Sequence, residues 1–123
     1  IRVVPLVGPV SLLLALAASG LNGQNFAFVG YLPQDGAART QRLRELESLT
    51  AKHGQTQMFI ETPYRNQALW DALVNGLQGN TRLARASGLT LATMQVHCKT
   101  VQAWRSAGKT QISGEPTVFL IGK

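Results

Sequence analysis

The sequence predicts an α/β fold in which helices flank a mixed β-sheet. Short apolar runs alternate along the chain with stretches whose apolar residues recur every three or four positions, as expected when strands alternate with helices. The run over residues 116–121 is apolar apart from Thr117, which predicts a strand buried on both faces. The length of 123 residues, with 45% hydrophobic and 15% charged residues, is typical of one globular domain.

The elements follow from the turn residues that separate the apolar runs. We predict strands over residues 2–6, 26–32, 57–61, 81–86 and 116–121, and a further extended segment over residues 89–94. We predict helices from Pro9 to the stop at Gly20 and over residues 37–53, 64–77 and 101–107.

Two of these helices have a recognisable apolar face. In the helix over residues 37–53 the predicted stripe is Leu43, Leu46 and Leu49, and Gly54 follows as the C-terminal stop. In the helix over residues 64–77 the predicted face consists of Ala68, Leu69, Ala72, Leu73 and Leu77.

The charge is strongly positive. Twelve Lys and Arg against six Asp and Glu give a net charge of +6. Such a domain can attract polyanions, and nucleic acid is the first candidate. The cations are spread along the chain, however, and charge alone favours the simpler interpretation of a solvated surface.

Cys98 is the only cysteine, which excludes an intrachain disulfide and a cysteine-based zinc site. With two histidines beside it, no metal cluster is predicted. The thiol is expected to be a small buried apolar group. We therefore expect a reducing, cytoplasmic setting.

The apolar start of the chain resembles the apolar region of a signal peptide or a membrane span. Pro5, Gly8 and Pro9 interrupt the run, and too few residues follow them to cross a bilayer as a helix. We expect no membrane association, and a secreted or membrane-bound protein is the least favoured alternative.

Three segments could carry chemistry. The turn Gly8–Pro9–Val10–Ser11 leads from a strand into a helix start, where free backbone N–H groups can bind a polar ligand. Glu61 and Thr62 follow a strand directly, and ligands of open α/β sheets bind at such strand ends. The third segment is the last strand, with Thr117 at its entrance.

Tyr64 and Arg65 could stack on or clamp a nucleotide beside the second segment. The structural alternative for that segment is that Thr62 caps the next helix, Pro63 occupies its first turn and Glu61 pairs with Arg65. The two interpretations are compatible.

Taken together and in this order, the segments resemble a known family. The pieces VVPLVGPVSLLLALAASGL, FAFVGYLP, QTQMFIETPYRN, RLARASGLTL, TVQAWR and EPTVFLIG cover essentially the whole chain. They resemble the C-terminal domain of the tetrapyrrole (corrin/porphyrin) methylase superfamily, in the branch that contains the ribosomal small-subunit 2′-O-cytidine methyltransferase.

The resemblance implies a two-domain methyltransferase with S-adenosylmethionine in the cleft between the domains. It places ten residues at the cofactor: Gly8, Pro9, Val10, Ser11, Glu61, Thr62, Leu83, Ala84, Pro116 and Thr117. Tyr64, Arg65 and Arg39 are candidates for contacts with the acceptor, which is RNA or a tetrapyrrole-like small molecule. The catalytic residues are unknown, and no metal is implied.

The chain then corresponds to a single C-terminal domain, residues 1–123, which lacks the N-terminal domain with its own cofactor loops and is inactive alone. We expect that N-terminal domain as a partner, and a homodimer. Val10, the Gln34–Asp35–Gly36 segment and residues 86–91 depart from the family pattern. They leave open a non-catalytic module that binds RNA or protein.

Overall fold

The fold is taken from a computed structural model that describes residues 20–21, 24–62, 65–87, 95–108 and 117–123. The predicted strand at residues 2–6, the predicted helix from Pro9 and the extended segment at residues 89–94 lie outside the described residues.

The described residues form one mixed sheet with helices. The strands are β1 (Phe26–Tyr31), β2 (Thr56–Ile60), β3 (Arg82–Ser87), β4 (Gln95–Thr100) and β5 (Thr117–Gly122). The helices are α1 (Gly36–His53), α2 (Asn66–Gly76) and α3 (Val101–Ser106). The strand order is β1-β2-β5-β3-β4, with β1 parallel to β2 and the other neighbours antiparallel. The predicted fold class is confirmed.

Strand β4 was missed by the sequence analysis. It pairs with β3 at the edge of the sheet, and its residues alternate between exposed and half-buried. An edge strand of this kind needs no continuous apolar run, and Gln95, His97 and Lys99 keep its mean hydropathy low. The sequence signal was therefore weak.

Strand β5 is the centre of the sheet. All six of its residues are buried, as the apolar run predicted. Val118 and Leu120 pack with Met58 and Ile60 on one face, whereas Phe119 and Ile121 join the helices on the other. The larger core, on the helix side, is formed by Leu32, Leu43, Leu46, Phe59, Leu69, Trp70, Leu73, Leu77, Leu83, Val101, Trp104, Phe119 and Ile121.

Helix α1 has a residue that favours a helix end at each of its two ends. The Asp35 carboxylate accepts a hydrogen bond from the Ala38 N–H at 3.0 Å, and Gly54 ends the helix in the left-handed conformation at φ 66°. The buried stripe is Leu43, Leu46 and Thr50, so the expectation for Leu49, which is 38% exposed, was wrong. The helical period of 3.6 residues carries the stripe from position 46 to position 50.

Helix α2 buries only part of the predicted face. Leu69, Leu73 and Leu77 are buried as expected, but Asn66 and Trp70 are buried as well, and Ala68 is exposed. Residues 66, 69, 70 and 73 follow the helical spacing of three and four. The indole of Trp70 is buried and contacts Trp104.

Trp104 attaches α3 to the sheet. Its indole Nε1–H donates to the Leu83 carbonyl at 2.8 Å, and its ring meets Trp70 edge-to-face, with centroids 4.8 Å apart. Both indoles are almost completely buried. One side chain therefore satisfies a buried carbonyl and fills the core.

We predict that Trp104→Phe lowers the free energy of unfolding by about 1–3 kcal/mol, because the Leu83 carbonyl loses its buried donor. Denaturant unfolding of the chain measures this loss. Ser106→Ala, an exposed change on the same helix, should stay within about 0.5 kcal/mol of the parent. Equal stability of the two variants would contradict the assigned role.

Candidate functional site

The strand directions bring several polar residues to one edge of the sheet. Strands β1, β2 and β3 run in the same direction, because β2 and β3 are both antiparallel to β5. Their carboxyl ends therefore meet the start of β5. We call this the polar edge; its residues are Glu61, Thr62, Asn66, Ser87 and Thr117. In open α/β sheets this is the edge where ligands bind.

Glu61 is buried at the polar edge and holds the turn that follows β2. One carboxylate oxygen accepts from the Thr62 N–H at 2.8 Å and lies 3.4 Å from the Thr62 hydroxyl. Within the described residues the carboxylate contacts Thr62 and not Arg65, so the interpretation as a Glu61–Arg65 pair was wrong.

Helix α2 starts later than the capping interpretation required. Arg65 is the N-cap residue, and its backbone N–H donates to the Thr62 carbonyl at 2.9 Å. Thr62 thus lies in the turn before the helix instead of capping it. This position leaves Thr62 between the end of β2 and the helix start, at the polar edge.

Asn66 and Thr117 connect α2 to β5. The Asn66 Nδ2 donates to the Thr117 hydroxyl at 3.4 Å, and both side chains are buried. Thr117 in turn lies opposite Ser87 of β3. Asn66 and Ser87 were missed by the sequence analysis. A polar Asn at a position that continues the apolar face of a helix was the signal for the first.

The structure thus brings Glu61, Thr62 and Thr117 together, with Arg65 half-buried beside them. Leu83 and Ala84 lie further back in β3, fully buried opposite Ile121 and Leu120.

Arg39 lies in the first turn of α1, which begins after β1, and it is half-buried. Gly8, Pro9, Val10, Ser11, Tyr64 and Pro116 lie outside the described residues. Their assignment to a cofactor or acceptor stays a prediction, as do the roles of Leu83, Ala84 and Arg39.

The charged groups nearest the tryptophans belong to β3 and β4. Arg85 lies over both indoles, with its Cζ 5.3 Å from the Trp70 centroid and 5.4 Å from the Trp104 centroid. Burial lowers the pKa of the Arg85 guanidinium from its ordinary value. An arginine stays charged in proteins nevertheless, so this group is a permanent cation.

The described ranges contain no group of three or more His, Cys, Asp or Glu side chains that could hold a metal ion. In the same ranges no helix is both long and apolar enough to cross a membrane.

Cys98 is half-buried and packs against the smaller core. Burial raises the pKa of its thiol, and the nearby Arg82 cation opposes that shift. At neutral pH the group is therefore a thiol and a weak nucleophile, in agreement with its predicted role as an apolar side chain.

We predict that a disulfide reagent modifies Cys98 more slowly in the folded chain than in the chain unfolded by guanidinium. The rate in the folded chain should rise with pH through a midpoint above the ordinary thiol value. Because the folded pKa is raised, this group stabilises the fold below the unfolded pKa, and the contribution is lost as the pH rises through the folded pKa.

Arg82→Gln should move that midpoint further upward, since it removes the attraction that opposes burial. Arg44→Gln on α1 removes the same charge at a distance and serves as the control. Equal rates for the folded and unfolded chains would contradict the burial of Cys98.

The fold is that of the tetrapyrrole methyltransferases. The crystal structure of the methyltransferase CobJ matches 91% of this chain and 47% of its own, with a TM-score of 0.53 and 17% identity. Uroporphyrin-III C-methyltransferase from Thermus thermophilus, complexed with S-adenosyl homocysteine, matches 92% of this chain and 49% of its own, with a TM-score of 0.52 and 17% identity. Identities this low show the fold alone.

Sequence similarity leads to one group of proteins. Ribosomal RNA small subunit methyltransferase I from Vibrio cholerae is 40% identical over 97 residues, which are 77% of this chain and 32% of that protein. Its counterpart from Pseudomonas aeruginosa is 33% identical over 125 residues, which are 99% of this chain and 43% of that protein. No family model matches. The predicted resemblance to the tetrapyrrole-methylase superfamily, in its ribosomal small-subunit branch, is confirmed.

The chain spans less than half the length of these curated relatives.

Proposed function

We propose that this chain is the C-terminal part of a cytoplasmic methyltransferase that uses S-adenosylmethionine to methylate RNA. The observation that carries the proposal is the 40% identity to ribosomal RNA small subunit methyltransferase I. RNA is favoured over a tetrapyrrole acceptor because the tetrapyrrole enzymes are only 17% identical and support the fold alone.

The polar side chains at the polar edge fit the proposed cofactor. A buried carboxylate at Glu61 can accept hydrogen bonds from ribose hydroxyls, and the Thr62 and Thr117 hydroxyls can both donate and accept. S-adenosylmethionine supplies an electrophilic methyl group on a sulfonium. These side chains would hold the cofactor at the carboxyl ends of the strands.

The contribution of this chain to the reaction is positioning. Attack on a sulfonium methyl group needs no covalent nucleophile from the protein, and alignment of the two reactants can supply much of the rate. The Asn66–Thr117 hydrogen bond fixes α2 against β5 where the cofactor would lie. A rigid edge of this kind limits the motion of the reacting groups.

The matched relatives support a site completed by a second domain, because this chain aligns with only 32–43% of their length. We propose that an N-terminal domain supplies the other wall of the cleft and that the chain alone is inactive. A homodimer stays a prediction. The exposed apolar side chains Phe26, Phe28 and Tyr31 on β1 are compatible with either association.

A second candidate is a non-catalytic module that binds RNA or protein. The net charge of +6 favours it. It differs from the first candidate in one observable way, because RNA binding would then persist without any affinity for the cofactor.

We predict that S-adenosyl homocysteine binds a protein carrying the preceding domain and binds the isolated chain weakly or not at all. The reason is that this chain would supply only one wall of the cleft. Isothermal titration calorimetry of both proteins measures the difference, with circular dichroism as the control for folding. If neither folded protein binds the ligand, the non-catalytic module is the better description.

We predict that Thr117→Val weakens binding of S-adenosyl homocysteine to the longer protein about two- to tenfold, as expected for the loss of one hydrogen bond. Thr117→Ser should restore affinity because it keeps the hydroxyl. Thr40→Val, an exposed change of the same kind on α1, is the matched control. Equal affinity of Thr117→Val and Thr40→Val would exclude Thr117 from the site.

A further inference from the structure

We infer that Arg85, His97 and Lys99 form a surface that binds the phosphate backbone of the acceptor RNA. This surface, the cationic row, lies on the helix-bearing face of the sheet next to the polar edge. The inference rests on the proposed function, because it assumes that the methyl acceptor is an RNA.

Strand register places the three side chains on one face. Arg85 of β3 lies directly opposite Phe119 of β5 on one side and His97 of β4 on the other. Directly opposed residues point to the same face of a sheet, and so do residues two apart along a strand, which adds Lys99. His97 and Lys99 are exposed, whereas Arg85 is half-buried.

The tryptophan pair fixes the Arg85 and Lys99 cations. The Arg85 guanidinium lies within 5.4 Å of both indole centroids, and the Lys99 Nζ lies 4.7 Å from the Trp104 centroid. These distances are within the range of cation–π attraction. Because both indoles are buried, they support the cations from below and are closed to stacking by a base.

The cationic row is not neutralised by any carboxylate that the structure describes. Each of the five described acidic side chains is bound elsewhere: Asp35 to the Ala38 N–H, Glu45 to Arg42, Glu47 to Gln78 and Thr81, Glu61 to Thr62, and Asp71 to Gln67. Two adjacent cations held on one aromatic ring repel each other, so an external anion between them is favoured.

The row is continuous with the proposed cofactor site. Asn66 and Trp70 lie one turn apart on α2, and Thr117 and Phe119 lie two residues apart on β5, so both elements lead from the polar edge to Arg85. An RNA strand whose phosphates contact Arg85 and Lys99 would pass beside the polar edge. The planar guanidinium of Arg85 can bind a phosphate through two parallel hydrogen bonds.

The test compares two exposed lysines of equal charge. Binding of a fluorescently labelled single-stranded RNA to the chain is measured by anisotropy over a series of salt concentrations, for the parent, Lys99→Gln and Lys52→Gln. Lys52 lies in the last turn of α1 and is not part of the cationic row. Circular dichroism confirms that each variant is folded.

We predict that Lys99→Gln weakens binding several-fold at low salt and lowers the slope of log affinity against log salt by about 0.7, the value for one lost single-strand phosphate contact. Lys52→Gln should leave both quantities near those of the parent. Equal losses in the two variants, or no RNA binding by the parent at low salt, would overturn the assignment.

Two further measurements separate the alternatives. If Lys99→Gln abolishes binding to vesicles containing phosphatidylserine but leaves RNA binding unchanged, the surface serves a membrane and the inference is wrong. Calorimetry with S-adenosyl homocysteine on the longer protein tests the proposed function independently. If S-adenosyl homocysteine does not bind the longer protein but Lys99→Gln selectively loses RNA affinity, the assignment of the RNA-binding surface stands. The proposed methyltransferase function is then wrong.

Discussion

The insertion of β5 between β2 and β3 is the interaction on which the rest of the structure depends. No described strand other than β5 joins the β1–β2 pair to the β3–β4 pair, and every residue of β5 is buried. The apolar run that fills this position gains burial on both faces at once. Because β5 comes last among these strands, the sheet closes through contacts between distant parts of the chain. Its register also places Thr117 opposite Ser87, at the end of β3.

One aromatic cluster connects the two proposed functional surfaces. Phe119 of β5 stacks on Phe59 with centroids 6.2 Å apart and lies the same distance from Trp70. Trp70 then meets Trp104, and Arg85 lies over both indoles. Closely packed interiors transmit displacements, so a change at Thr117 and a change at Arg85 need not be independent. The polar edge and the cationic row therefore share one rigid support.

Much of this fold could be predicted from sequence, but the sites could be predicted only in part. Strong local signals, such as the apolar run of β5 and the stop at Gly54, gave element boundaries within one or two residues. Strand β4 lacked such a signal because an edge strand can remain half polar. The position of Glu61, Thr62 and Thr117 at one edge of the sheet could be predicted because they border apolar strands. The Trp70–Trp104 pair beneath Arg85 could not be predicted from the sequence. Its position depends on the register of three strands and on how α2 and α3 pack against them.

The structure shows how the charged side chains are paired, which the net charge alone does not. A net charge of +6 is compatible with a surface that binds a polyanion and with a dispersed, solvated surface. The spacing of the cations along the chain favours the solvated surface. In the described residues, however, most carboxylates bind backbone N–H groups, hydroxyls or an amide, and one forms an ion pair, between Arg42 and Glu45. An exposed pair of that kind stabilises a protein by at most about 1 kcal/mol. The described carboxylates therefore serve turns, caps and side-chain contacts within the fold, and none of them occupies the position beside Arg85 and Lys99 where an anion from outside the chain could bind.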